Sequence, residues 1–154
     1  MLIEDAIIND IYNIEKCGKR CLPIYYKATD LYFLINQNNY KIMKLCNDNK
    51  LYGYTVIEKR INSNHIMSIG IYPQYRRRGY GEMLINKIKD MHVNKTITLN
   101  VQKNNEAAIC FYKKNGFKII GELINYYSNL ECKDAYKMAY LDESNITINP
   151  KMIT

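Results

Sequence analysis

The chain has 154 residues, enough for one ordinary domain whose core needs no disulfide or metal staples. With 47% hydrophobic residues, 24% charged residues and only three prolines it is a folded chain and not a low-complexity one, and no apolar run reaches the ~18 residues of a membrane span. A net charge of +7 leaves RNA, the ribosome or an anionic cofactor open as partners, beside a plain abundance of lysine.

Five cysteines (Cys17, Cys21, Cys46, Cys110, Cys132) form an odd set with no CxxC pair and no histidine partner at metal spacing, so neither a disulfide framework nor a metal site is indicated. The N-terminus MLIEDAIIND carries acids where a signal peptide needs positive charge. A soluble, cytoplasmic protein is the expectation.

Taken in chain order, Ile3–Ala6 reads as a short strand, and a helix follows with Asp10 at its N-cap and Gly18 closing it. CLPIYYKAT is a Pro-bearing loop, and Asp30–Gln37 a short second helix. YKIMKLCND and KLYGYTVIEK form a β-hairpin turning at Asn47-Asp48-Asn49, and HIMSIGIY continues the sheet. After an Arg-Gly loop, Met83, Leu84, Ile85, Ile88 and Met91 recur at helical spacing, ending near His92, for which a capping or surface role is expected. TITLNVQ is a strand, Asn105–Lys114 a helix stopped by Asn115-Gly116, and FKIIGELI and DAYKMAYL are two more strands. Hairpins with helices inserted between strands make an α+β, or mixed α/β, domain. One domain spans 1–154, with a core to about residue 143 and a frayed tail over 144–154.

The segment IGIYPQYRRRGYGEML holds three of the chain's five arginines and reads strand, short loop, helix. Glycines at a helix entry let the backbone approach a ligand, and the free N–H groups of the first turn favour an anion such as a diphosphate. No Gly-Lys-Ser/Thr follows, which excludes a Walker A loop, and the glycines are too close for a dinucleotide fingerprint. What remains is Arg-x-x-Gly-x-Gly.

That spacing resembles the acetyl-CoA loop of the GNAT N-acetyltransferases. About 25 residues on, Asn105-Glu-Ala-Ala-Ile-Cys-Phe-Tyr112-Lys-Lys-Asn-Gly-Phe117 resembles the family's Asn-x-x-Ala-x-x-x-Tyr-x-x-x-Gly-Phe helix. Within the family the likeness is greatest to the N-terminal acetyltransferases of the NatE, or San, type. It rests on Leu22-Pro-Ile-Tyr-Tyr26, on the Arg-Gly loop, and on Asn125-Tyr-Tyr127 with Asp134-Ala-Tyr136. The resemblance implies a GNAT fold, with a central, mostly antiparallel, twisted sheet of about seven strands and about four helices. It implies acetyl-CoA as cofactor and a protein or peptide N-terminus as substrate. An auxiliary subunit or the ribosome is a candidate partner; no membrane is expected, and nucleic acid only indirectly.

By the same resemblance, backbone N–H groups of Arg76, Arg77, Arg78, Gly79, Tyr80, Gly81 and Glu82 hold the diphosphate. The strand edge at Ile69, Gly70 and Ile71 meets the pantetheine arm and the acetyl carbonyl. Asn105 and Ala108 lie beside the cofactor, Asn105 being also a plain helix N-cap. Tyr112 stands where the family donates a proton to the leaving thiolate, or is a core aromatic. Leu22, Pro23, Ile24 and Tyr26 on one side and Tyr126 and Tyr127 on the other form an apolar slot suited to a Met side chain and a second apolar residue. Met67, alternating with His65 and Ile69 on one strand face, lines its floor.

The chain departs from the NatE pattern at two positions: His65 replaces a strand tyrosine, and Asn100 replaces a histidine. Asn100 cannot take a proton at neutral pH but orients a water. His65, near 6.5 if unperturbed, is then the candidate general base; the alternative is a half-buried strand residue, with the amine losing its proton to solvent. A rival GNAT activity on a ribosomal protein N-terminus, lysine or small amine, and a non-catalytic acetyl-CoA-binding module, are the alternatives. Polyamine or aminoglycoside substrates would want acids around the slot, and CLPIYYKAT and INYYSN contain none.

Overall fold

The computed structural model describes residues 1–91 and 96–142; His92 and the predicted tail lie outside the described residues. Seven strands form one sheet: β1 (Leu2–Asp5), β2 (Tyr40–Asn47), β3 (Lys50–Lys59), β4 (Ser63–Ile71), β5 (Thr96–Gln102), β6 (Lys118–Leu123) and β7 (Ala135–Tyr140). Four α-helices accompany it: α1 (Ile11–Cys21), α2 (Ala28–Ile35), α3 (Tyr80–Met91) and α4 (Glu106–Lys114). The strand order is β1-β2-β3-β4-β5-β7-β6, antiparallel except at β4–β5. This is the expected mixed α/β fold with a mostly antiparallel sheet.

Alternation along the central strands builds a core on both faces. Ile42, Tyr54 and Val56 join Ile11, Ile14 and Cys17 of α1 and Leu31 and Leu34 of α2 on one face. Met43, Ile57, Ile66, Leu99 and Met138 join Ile85 and Ile88 of α3 and Ile109 and Tyr112 of α4 on the other. At the β2–β3 hairpin Asp48 and Asn49 both have positive φ (46° and 64°), which makes a two-residue turn whose twist matches the strands.

Three local expectations are corrected. Gly18 does not close α1 but lies inside it: a Cβ there would stand 2.9 Å from the Tyr54 hydroxyl, so it permits the helix to approach the sheet. Asp10 sits at the N-cap position without capping α1, because its carboxylate takes the Ile7 N–H (2.8 Å) and Lys44 Nζ (2.9 Å). The second helix starts two residues earlier than expected, with the Asp30 carboxylate accepting from the Lys27 N–H at 3.1 Å.

Candidate active site

β4 and β5 pair only over Ser63–Ile66 and Thr96–Leu99. Beyond Ile66, β4 keeps its pairing with β3, through Ser68, Ile69, Gly70 and Ile71, while its other edge parts from β5; at the end of that edge the Ile71 carbonyl accepts from Arg76 Nε and Cys21 Sγ. A β-bulge marks the parting: Ser68 lies opposite Val56 and Ile66 opposite Ile57, which leaves Met67 between them without a cross-strand partner. The bulge corrects one expectation. His65 and Met67 share the α1/α2 side of the sheet, but Ile69 is carried to the α3/α4 cluster, so the three do not form one row.

The open edge of β4 runs into the Arg-Gly loop. Arg77 (φ 61°) and Gly79 (φ 80°) turn the chain, and the first bond of α3 runs from the Met83 N–H to the Gly79 carbonyl (3.0 Å). The N–H groups of Tyr80, Gly81 and Glu82 therefore precede the helix ladder, at its positive end. Gly81 serves packing as well: a Cβ there would stand 3.0 Å from the Phe111 ring of α4. The loop side chains have separate tasks. Arg76 Nε donates to the Ile71 carbonyl (3.1 Å), anchoring loop to strand, and Arg78 lies over the Tyr75 ring (5.8 Å). Tyr80 meets Tyr52 edge-on (5.5 Å), and Arg77 has no side-chain partner among the described residues.

His65 is 8% exposed, and its Nδ1 shares a 2.8 Å hydrogen bond with Thr98 Oγ1 across the last paired stretch of β4 and β5. Burial first, then the Arg60 guanidinium, lowers its pKa to about 4, against the sequence expectation of a value near 6.5. Asn100, two residues beyond Thr98 on the same face, has a buried Oδ1 with no hydrogen-bond partner among the described residues. Tyr112 belongs to the α3/α4 cluster on the opposite side of the sheet, so the fold does not place it beside His65. Burial, then the neighbouring Tyr127, raises the Tyr112 pKa. Asn105 caps α4, its Oδ1 accepting from the Ala108 N–H at 3.2 Å.

The loop after α1 and the β6–β7 loop come together. Tyr26 is raised by burial and then by Tyr126, while the rings of Tyr126 and Tyr127 stand 4.9 Å apart, edge to face. Tyr126 thus acts electrostatically on Tyr26, and Tyr127 on Tyr112. The β6–β7 loop is held by the Asp134 carboxylate on the Asn125 N–H (2.9 Å) and by Gln102 Nε2 on the Cys132 carbonyl (2.8 Å). Met67, with Tyr26, packs against the α1/α2 cluster; Pro23, Ile24 and Tyr126 are exposed and Leu22 half-buried. Asp30 and Glu58 also influence Tyr26, so acids do approach the slot, though Glu58 is paired with Arg60 at 2.7 Å. Two surface hollows of about 430 and 420 Å³, one beside Ala6–Asn9 and Ile35, the other between β1, α1 and the β2–β3 hairpin, do not touch this site.

Sequence reasoning missed Thr98, Arg76's anchoring bond, Glu58 and Cys21. Thr98 meets His65 and Cys21 meets Ile71 across 33 and 50 positions, which only the tertiary structure brings together; the Arg76 and Glu58 bonds are local, to Ile71 and Arg60, but depend on how the chain turns there. The β4 edge that parts from β5, the anion-ready turn and the orphaned Asn100 oxygen fit an extended amide-bearing arm ending in a diphosphate.

Residues 8–117 match the model of the acetyltransferase (GNAT) family. The chain is 28% identical over 153 residues to an N-alpha-acetyltransferase of Sulfurisphaera tokodaii, covering 89% of this chain and 90% of that protein. It is 42% identical to N-alpha-acetyltransferase 50 of Danio rerio over 77 residues, 47% of this chain and 45% of that one. Among solved structures, Arabidopsis thaliana Naa50 in complex with the bisubstrate analogue CoA-Ac-MVNAL superposes with a TM-score of 0.77 at 27% identity, over 91% of this chain and 97% of that chain.

Proposed function

The chain belongs to the acetyltransferase (GNAT) family and is an acetyl-CoA-dependent acyltransferase; from that premise we propose that it acetylates the free α-amine of Met-hydrophobic protein N-termini in a ternary complex. The observation that carries the reading is the open edge of β4 running from Met67 to Ile71 straight into the Arg-Gly turn. Acetyl-CoA supplies an activated acetyl thioester when bound. The N–H groups of Tyr80, Gly81 and Glu82 and the free Arg77 side chain would hold its diphosphate, the Ile69–Ile71 edge would align its arm, and Asn105 and Ala108 of the α4 N-terminus would lie beside it.

Burial keeps the Tyr112 proton on its hydroxyl, where it is ready to be given to a leaving sulfur. His65, neutral at pH 7, is an acceptor held by Thr98 and a poor proton sink: taking a proton from an ammonium of pKa ~8 onto a group near 4 costs about 5 kcal/mol. An α-amine is about one-tenth neutral at pH 7, so it can lose its proton to solvent while His65 Nε2 and Asn100 Oδ1 orient it or a water. Tyr26, Tyr126 and Tyr127 wall the slot, and Leu22, Ile24 and Met67 supply its apolar surface.

Acetyl transfer to peptides with Met-Leu, Met-Lys, Ser-Glu and Ala-Ser N-termini, and to an N-blocked peptide with one lysine, tests the proposal through CoA release. Preference for Met-Leu is expected. Equal rates on the blocked lysine peptide would overturn it, and tight acetyl-CoA binding without turnover on any peptide would favour a binding module.

A further inference from the structure

α1 places Cys17 and Cys21 one helical turn apart with their sulfurs 3.8 Å from each other. Cys17 is fully buried, whereas Cys21, the last residue of the helix, is half-buried. Cys21 Sγ also contacts the Ile71 carbonyl (3.1 Å), the same oxygen that accepts from Arg76 Nε. The Arg76 guanidinium reaches the Cys21 carbonyl as well (3.5 Å), and Cys21 packs on Gly70, where a Cβ would stand 3.1 Å from the Cys21 Cβ. The pair is therefore wired to the end of β4 and the start of the Arg-Gly turn.

We infer that Cys17 and Cys21 are a peroxide-oxidisable dithiol whose disulfide form loosens the Arg76 anchor and weakens acetyl-CoA binding. The effect on affinity rests on the cofactor reading above; the oxidation does not. The Cys17 thiol donating to Cys21, and then Arg76, hold Cys21 down to about 7 against burial, so its thiolate is reached more readily than that of an ordinary cysteine once the Cys21 proton leaves the Ile71 carbonyl. Cys17 is pushed up by its hydrogen bond to Cys21 and by burial, and it remains protonated. This is the pairing of an accessible, acidic sulfur with a resolving thiol.

The Cys21 thiolate attacks one oxygen of a peroxide and breaks the O–O bond, giving a sulfenic acid and hydroxide. The Cys17 sulfur then displaces the sulfenic hydroxyl, its proton leaving with that group as water. Two thiols lose two electrons and the peroxide becomes two waters. Residues four apart in a helix have Cα atoms about 6 Å apart, inside the span a disulfide accepts. Closing the sulfurs from 3.8 Å to bonding distance pulls Cys21 off the Ile71 carbonyl and disturbs the last turn of α1.

The test treats the reduced full-length chain with hydrogen peroxide and maps the products by non-reducing peptide mass spectrometry. Acetyl-CoA affinity is measured by calorimetry before oxidation, after it, and after dithiothreitol. The expected result is loss of two hydrogens in a peptide linking Cys17 to Cys21 and an affinity about tenfold weaker, the size of one hydrogen bond to a charged group. Dithiothreitol restores both. The Cys17→Ser variant should stop at a dimedone-reactive Cys21 and keep its affinity. Oxidation at Cys110 or Cys132 with both α1 thiols still free overturns the site, and a linked pair with unchanged affinity overturns the coupling. A reduced chain that does not bind acetyl-CoA would instead overturn the cofactor reading and leave the disulfide result standing.

Discussion

At Tyr112 and His65 the same force, burial, has opposite chemical results. It keeps the proton on the phenol and keeps it off the imidazole, so each side chain sits at neutral pH in the form its proposed role needs. Tyr112→Phe preserves the ring within the α4 cluster and removes only the hydroxyl. The expected outcome is a kcat about 100-fold lower with an acetyl-CoA KM changed less than about twofold, read by steady-state CoA release. A purely structural tyrosine would leave kcat intact. For His65, kcat/KM on a Met-Leu peptide should climb through a single limb set by the substrate amine at about 7.7–8.0, with no second inflection near 6.5. His65→Ala should lower that profile without moving it. An inflection near 6.5 that vanishes in the variant would restore His65 as the general base. The two residues were legible in the sequence as types and positions, but the Thr98 bond and the shift to about 4 were not, since both depend on strand register and solvent exclusion.

The strand-turn-helix from β4 through α3 shows how two glycines two residues apart answer different demands. Gly79 has φ +80° with nothing within 4 Å of a Cβ, so its requirement is conformational; Gly81 faces the Phe111 ring, so its requirement is steric. Gly79→Ala should cost about 1–2 kcal/mol for a left-handed residue with a side chain. It should also raise the acetyl-CoA KM, because the turn carries the N–H groups. Gly81→Val should cost about 1–3 kcal/mol by forcing α3 from α4. Urea melts of the two variants, with KM measured on each, separate the causes. The Arg-Gly spacing was visible in the sequence; the partition of labour between its glycines was not, because Phe111 lies 30 positions away.

For the whole molecule, the buried neutral imidazole couples proton uptake to unfolding. The folded pKa of His65, about 4, lies below its unfolded value near 6.5, so between those values the unfolded chain binds a proton that the folded chain refuses. Stability is therefore complete above about pH 6.5 and falls as the pH drops toward 4, by on the order of 3 kcal/mol. His65→Gln should flatten that part of the difference curve when urea midpoints are compared across the range; parallel curves for the two chains would refute it. The sequence by itself determined the alternation of elements, the anion-ready glycine turn and the apolar periodicities, because those are set by neighbours one to four residues apart. Only the tertiary structure decided where β5 leaves β4, which side of the sheet each candidate group faces, and that Cys17, Cys21, Ile71 and Arg76 form one linked group. Register, bulges and burial are properties of contacts between distant segments, and no single segment encodes them.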